Sequence, residues 1–205
     1  ILFGTVKQIS LLADKLEMMS WWGFPEIVRE LRTAAGALSI KKMTVDLPSG
    51  GNLVFGERTL LMGIINLSDD SFYDESRTYG KLESAVSKAL EQAESGADII
   101  DLGAESTRPG ASRISESEEL GRMVPAVAEI RKNLPGMPIS VDTTREKVAE
   151  AALRAGADII NDISGLSFEP GTARAAAEHG AMLVIMHMRG TPETMGSMCG
   201  YSNLL

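Results

Sequence analysis

The apolar residues of this chain follow two different patterns, and the change comes near residue 60. Before it, Ile9, Leu12, Leu16 and Met19, then Ile27, Leu31 and Ala34, recur at helical spacing on either side of "WWGFP", where Gly23 and Pro25 interrupt the period. Two helices joined by a turn are predicted, with Trp21, Trp22 and Phe24 as a packing cluster. "MTVDLPSGGNLVF" then alternates apolar and polar residues around Pro-Ser-Gly-Gly, which predicts a β-hairpin.

After Leu60 the apolar residues come in short unbroken runs: "LLMGIIN" (60–66), "ADIIDLG" (97–103), "PISVD" (138–142), "ADIIND" (157–162) and "AMLVIMH" (181–187). Such runs suit parallel strands covered on both faces. Amphipathic stretches separate them. Leu82, Ala85, Val86, Ala89, Leu90 and Ala93 share one helical face, and Ser115 with Glu118 forms a capping box ahead of Leu120, Met123, Val124, Val127 and Ile130. Gly96, Gly156 and Gly180 sit where left-handed helix ends are needed. "GADII" occurs at both 96–100 and 156–160, read as a helix stop, a short link and the start of a buried strand.

Alternating strand and helix predicts an α/β architecture, either an open doubly wound sheet or a (β/α)8 barrel, and both bind ligands at the C-terminal ends of their strands. Those ends carry Asn66, Asp101 with Glu105, Asp142, Asn161 with Asp162, and His187. One acid at a strand end commonly caps the next helix, which is the reading for Asp162 and Thr143. Asp142, the last residue of its run, reads as functional. A nonpolar core cannot absorb this many carboxylates and amides, because a buried unpaired carboxylate is too costly. They suit a ligand edge rich in N–H groups, such as an aminopyrimidine or pterin; Met182, Met186 and Met188 read mostly as core filler, with Met186 the candidate to touch a pterin.

The loops add other chemistry. "NLSDDSFYDESRTYG" (66–80) reads as a polar lid, and "ESTRPGASRIS" (105–115) sets Arg108 beside Pro109 and Gly110 as a cation for an anion or a partner carboxylate. Neither GxGxxG nor a P-loop is present.

Composition narrows the class without choosing a ligand. The chain has 205 residues, 44% hydrophobic and 23% charged, as expected of a globular protein. A net charge of −8 disfavours nucleic acid and anionic membrane as general partners. One cysteine, Cys199, excludes an internal disulfide, and with two histidines, His179 and His187, there is no Cys/His zinc pattern. This fits a reducing cytoplasm. No run reaches the ~18 apolar residues of a membrane span, and no signal peptide is visible. Opening on Ile1 rather than Met predicts a start that lies further upstream or is removed.

In order, "MGIINLSDDSF", "GADIIDLGAESTRPGA", "ISVDTT", "AGADIINDISG" and "VIMHMRGTPETM" resemble the signature blocks of dihydropteroate synthases, from about residue 50 to 205. The resemblance implies a (β/α)8 TIM-type barrel of which about the first five βα units are present, preceded by a β-hairpin (42–57) and a helical extension (1–41). It implies the joining of 6-hydroxymethyl-7,8-dihydropterin pyrophosphate to 4-aminobenzoate, a transferase step of folate biosynthesis that releases pyrophosphate.

By the same resemblance Asp142 and Asn161 hold the pterin and Asn66 helps hold Mg²⁺ against the pyrophosphate. Phe72, Thr107, Arg108 and Pro109 border the aminobenzoate, and Asp74 pairs with Arg108. The extension is expected to cap the barrel or join two copies in a homodimer. Ionisation of the C–O bond would give a pterin methylene cation that the arylamine attacks.

The chain departs from the family in two places. Asp69 stands where the family has a proline, and "DESRTYG" replaces the usual Asp-Gly-Gly, so altered lid mobility is expected. The family's later blocks, with a further pterin aspartate, a lysine and an Arg/His pair, are also missing. Five strands do not close an eight-stranded barrel. A further ~100 residues, judged against a typical barrel of ~250, or a second chain is expected to complete it, and the segment alone is expected to show no turnover. Competing readings are a methyltetrahydrofolate–corrinoid methyltransferase-like barrel, which gives no reason for "ESTRPG", and a non-catalytic pterin-binding module.

Overall fold

The computed structural model describes residues 4–19, 21–39, 41–67, 78–105, 114–191, 194, 197, 198 and 200. The chain divides into two compact units, Ile1–Thr44 with Val54–Arg58, and Val45–Leu53 with Thr59–Leu205.

The first unit holds α1 (Val6–Glu17) and α2 (Phe24–Ser39). Thr5 starts α1 with a complete capping box: Gln8 N donates to Thr5 Oγ1, and Thr5 N donates to Gln8 Oε1 at 2.8 Å. Gly23, at φ 82°, turns the chain, and Pro25 falls in the first turn of α2, where its missing N–H leaves no helical bond unmade. The helices meet along Ala13, Val28 and Ala35, the buried residues of the pair, so the apolar seam of α2 runs one position later than Ile27 and Ala34, which are exposed. Arg32 pairs with Asp14 and Glu17 at the surface. Trp21 stacks on Phe24 with centroids 5.7 Å apart, but Trp22 is fully exposed and outside the cluster expected of it.

Strands β1 (Met43–Asp46) and β2 (Asn52–Phe55) form the hairpin. Leu47 N donates to Gly51 O and Gly50 N to Leu47 O, with Gly50 at φ 92°. In the second unit, β3 (Met62–Asn66), α3 (Thr78–Glu94), β4 (Ile99–Gly103), α4 (Glu116–Asn133), β5 (Ile139–Asp142), α5 (Glu146–Ala155), β6 (Ile159–Asp162), α6 (Gly171–Glu178) and β7 (Met182–Ile185) follow the alternation read from the sequence. β7 stops at Ile185, short of His187.

All five of these strands are parallel, in the order β3-β4-β5-β6-β7. A doubly wound sheet reverses its strand order at a switch point. This one never reverses, so its helices lie on one face, and the fold is α/β of the (β/α)8 type, with four consecutive βα units and a fifth strand among the described residues.

On that face Ile65, Ile100, Leu102, Val141 and Ile160 pack against Ala85 and Ala89 of α3, Met123, Val127 and Ile130 of α4, Val148 and Ala152 of α5, and Ala175 of α6. At about 25 cal/mol per Å² of apolar surface, this is the main stabilising layer of the unit. Among the described residues no helix is long and apolar enough to cross a membrane.

The helix stops behave as predicted: Gly96, Gly156 and Gly180 have φ of 99°, 112° and 63°. The aspartate of each "GADII" reaches back to the preceding strand. Asp98 Oδ2 accepts from Leu61 N at 2.8 Å, and Asp158 Oδ2 accepts from Ile139 N at 3.0 Å. Fully buried, Asp158 also accepts from Ser49 N of the hairpin turn at 3.0 Å and from Arg131. The motif therefore repeats because each incoming strand needs an acceptor for the backbone N–H at its neighbour's start.

Candidate functional site

Strand register lines up one residue from each strand at the C-terminal edge. Asn66 pairs with Gly103, Gly103 with Asp142, Asp142 with Asn161, and Asn161 with Val184. Side chains alternate along a strand, so these positions point away from the helices. Gly103 leaves the middle of the row open: a Cβ there would stand 3.8 Å from both Asn66 Oδ1 and Asp142 Oδ2. Met186 follows β7, half-exposed, with its N–H on Asp162 O at 3.1 Å. Of the residues predicted for the site, Asn66, Asp142, Asn161 and Met186 thus come to one edge of one sheet. Phe72, Asp74, Thr107, Arg108 and Pro109 lie outside the described residues.

Beneath this row a second row on the same face runs Ile64, Asp101, Ser140, Ile159 and Met182. Burial pushes the Asp101 carboxyl up, against the nearby Ser140 and Asn161 side chains, which favour its charged form. Neither Asp101 Oδ1 nor Ser140 Oγ completes a hydrogen bond of normal geometry. Asp142, one row above, is pushed up to about 7, first by its own burial and then by the charges of Asp101, Glu119, Glu105 and Asp162.

Two strand-end residues do other work than the helix capping expected of them. Asp162 is fully buried and accepts from Ser164 N at 2.7 Å and Ser164 Oγ at 2.6 Å, locking the turn after β6. Thr143 Oγ1 donates to Glu119 Oε1 at 2.6 Å and accepts from Arg145 N at 3.2 Å. The N-terminus of α5 is capped from elsewhere, by Glu169 Oε2 accepting from Glu146 N at 2.7 Å. The capping box at Ser115 is half formed. Glu118 N donates to Ser115 Oγ, while the Glu118 carboxylate pairs with Arg122.

A cluster that the pattern of apolar residues did not reveal lies beside the row. Glu119 on α4 is 2% exposed, and burial raises its carboxyl against the pull of Thr143 and Arg145. Arg145 pairs with Glu119 and, at 2.9 Å, with Glu105. The signal was present in the sequence: Glu119 stands four residues before Met123, a carboxylate on the buried face of its helix.

No group of three or more His, Cys, Asp or Glu side chains suited to a metal occurs among the described residues. Asn66 offers one exposed amide oxygen at the row's end. A surface cavity of about 420 Å³ lies along α1 with α2 in the first unit, and one of about 430 Å³ in the second unit lies between α3 and α4, lined by none of the strand-end residues. The chemistry of the row therefore decides the site, and cavity size does not.

Residues 62–204 match the family of pterin binding enzymes. The chain belongs to that family. It is 46% identical over 160 residues to the dihydropteroate synthase of Synechocystis, covering 78% of this chain and 55% of that protein. With the dihydropteroate synthase of Bacillus subtilis it is 50% identical over 137 residues, 67% of this chain and 47% of that one.

Among solved structures, a Yersinia pestis dihydropteroate synthase with a sulfonamide drug complex superposes with a TM-score of 0.69 at 40% identity, covering 79% of this chain and 57% of that one. Burkholderia cenocepacia dihydropteroate synthase complexed with 7,8-dihydropteroate superposes at 0.61 and 38% identity, covering 74% and 49%. This chain spans about half the length of the relatives it matches.

Proposed function

We propose that this chain is the pterin-holding part of a dihydropteroate synthase, a transferase that joins 6-hydroxymethyl-7,8-dihydropterin pyrophosphate to 4-aminobenzoate, releasing pyrophosphate and 7,8-dihydropteroate. The observation that carries the proposal is the edge row, where Asp142 and Asn161 are register partners beside the open position of Gly103. A carboxylate accepting from the ring's N–H edge beside an amide that donates and accepts is what a pterin needs.

In the reaction the C–O bond to pyrophosphate breaks, the arylamine nitrogen forms the new C–N bond, and that nitrogen gives up its proton. Asp142, once ionised above about pH 7, places negative charge near the ring and favours the cationic character that develops there. Mg²⁺ fits Asn66 as one oxygen ligand among water and phosphate oxygens, and its chemistry would be to neutralise the departing pyrophosphate. Arg108 and Asp74, with Phe72, Thr107 and Pro109, complete the proposed aminobenzoate side. Residues 42–205 form the pterin-binding portion in this reading, and residues 1–41 an extension that caps it or joins two copies. The single cysteine suits a reducing cytoplasm.

The test is calorimetric titration of the full-length natural polypeptide with the pterin pyrophosphate. Asp142→Asn should weaken binding by roughly 2–4 kcal/mol, as for a buried charged hydrogen bond. An unchanged affinity overturns the assignment. Tight methyltetrahydrofolate binding without Mg²⁺ or pyrophosphate would redirect it to a methyltransferase.

A further inference from the structure

Asp142 and Asn161, the two residues proposed to hold the pterin, are the last register partners of β5 and β6. A further bond joins the strands just beyond them, Thr143 N donating to Asn161 O at 3.2 Å. Thr143 therefore serves both sides of the pair. It follows Asp142 directly in the chain and is bonded to the backbone of Asn161.

The Thr143 side chain, on a residue 3% exposed, is held as firmly as its backbone. Its hydroxyl donates to Glu119 Oε1 at 2.6 Å and accepts from Arg145 N at 3.2 Å, so donor and acceptor are both in use. The other oxygen of Glu119 accepts from Arg145 Nη1, and Arg145 Nη2 donates to Glu105 Oε1 at 2.9 Å. Glu119 shares the buried face of α4 with Met123, Ala126, Val127 and Ile130, which pack against the sheet. A carboxylate on such a face is costly to bury, and an apolar side chain of similar volume would fill the space at least as well. What only the carboxylate supplies is an acceptor aimed at the exit of β5.

We infer that Glu119 and Thr143 are positioning residues for the pterin: their hydrogen bond carries the rigidity of the packed α4 to the point where β5 leaves the sheet, and so fixes the spacing of Asp142 and Asn161. Strand ends open more easily than strand centres, because fewer bonds hold them. A site that grips one edge of a flat ring needs its two groups held within a fraction of an ångström, which calls for support behind the residues that touch the ligand. Thr143 gives that support to both groups at once, and Glu119 anchors Thr143. The inference rests on the function proposed above for the identity of the ligand; the clamp on the two strand exits does not.

The test uses the full-length natural polypeptide carrying Thr143→Val, Thr143→Ser, Glu119→Met, or Thr143→Val with Glu119→Met. The first readout is hydrogen exchange at the amide of residue 143, which needs no ligand. Thr143→Val and Glu119→Met should each speed it about tenfold, with the centre of β5 unchanged. The second is calorimetric titration with the pterin pyrophosphate at about pH 8.5, where Asp142 is ionised in every variant and the change reports geometry rather than charge. Each of the two single variants should bind about tenfold more weakly. The double variant should also lose only about tenfold, because both changes break one bond, whereas independent losses would multiply.

Thr143→Ser keeps the hydroxyl and should restore both exchange and affinity. Should Glu119→Met fail to fold, the comparison of Thr143→Val with Thr143→Ser decides. Exchange at the wild-type rate in Thr143→Val, or a lowered melting temperature with pterin affinity unchanged, overturns the inference. If wild type binds no pterin pyrophosphate, the functional proposal falls; faster exchange then still supports the clamp on the strand exits, and unchanged exchange overturns it.

Discussion

Asp142 carries an unusual electrostatic load for a residue at the end of a strand. Its carboxyl sits at about 7 where 3.8 is ordinary, so the folded chain holds that proton more firmly than the unfolded chain does. The sign follows directly: its contribution to stability is full in acid and is lost as pH rises from about 4 through about 7. Asp142→Asn should therefore leave the thermal midpoint almost unchanged at about pH 4 and stabilise the empty protein at about pH 8 by roughly 2–4 kcal/mol. Thermal melts at the two pH values check this, and destabilisation at the higher pH would contradict it. The same carboxylate must be charged to accept from a pterin edge, so the affinity for the pterin pyrophosphate should rise with pH and level off above about 7. Asp142 and Asn161 could be picked from the sequence because each ends or nearly ends an apolar run. Arg145 could not, since it lies between elements with no periodicity to mark it, whereas Glu119 was marked only by standing as a carboxylate on the apolar face of its helix.

Among the elements, the two "GADII" segments show how a local motif is reused. Each glycine ends a helix in a left-handed conformation, and each aspartate accepts a backbone N–H from the strand before it. Asp158 carries more, because the hairpin turn and Arg131 converge on it in full burial. Asp158→Ala should cost about 3–5 kcal/mol, the scale for breaking a buried ion pair. Urea denaturation would measure it, and a loss under about 1 kcal/mol would mean that water replaces the carboxylate. The strand and helix alternation was legible because continuous apolar runs and 3.6-residue periods differ so plainly. The face of α2 was not: its flanking apolar residues permit two adjacent phases, and contact with Ala13 on α1 selects the one carrying Val28 and Ala35.

At the scale of the whole chain, five parallel strands in unbroken order make an open portion of a barrel. On the face away from the helices Met62 and Ile64 of β3 are exposed, Ile64 by 62%. An apolar strand residue so exposed is costly in water and favours association. Under the function proposed above, these 205 residues alone should release no pyrophosphate in a coupled assay with both substrates and Mg²⁺, because a five-stranded sheet leaves the barrel open. Near-normal rates would show that five strands suffice.

The sequence by itself determined the elements and which residues each strand presents at its end, because burial pattern, helix stops and strand length are local properties of the chain. It also carried the blocks by which the family is recognised. Only the tertiary structure decided that Asn66, Gly103, Asp142 and Asn161 share one row, since register depends on hydrogen bonds between separate strands. The position of Asp142 near neutral pH was likewise decided in three dimensions. Its burial and the charges of Asp101, Glu105, Glu119 and Asp162 act through distance in space, which residue spacing does not encode.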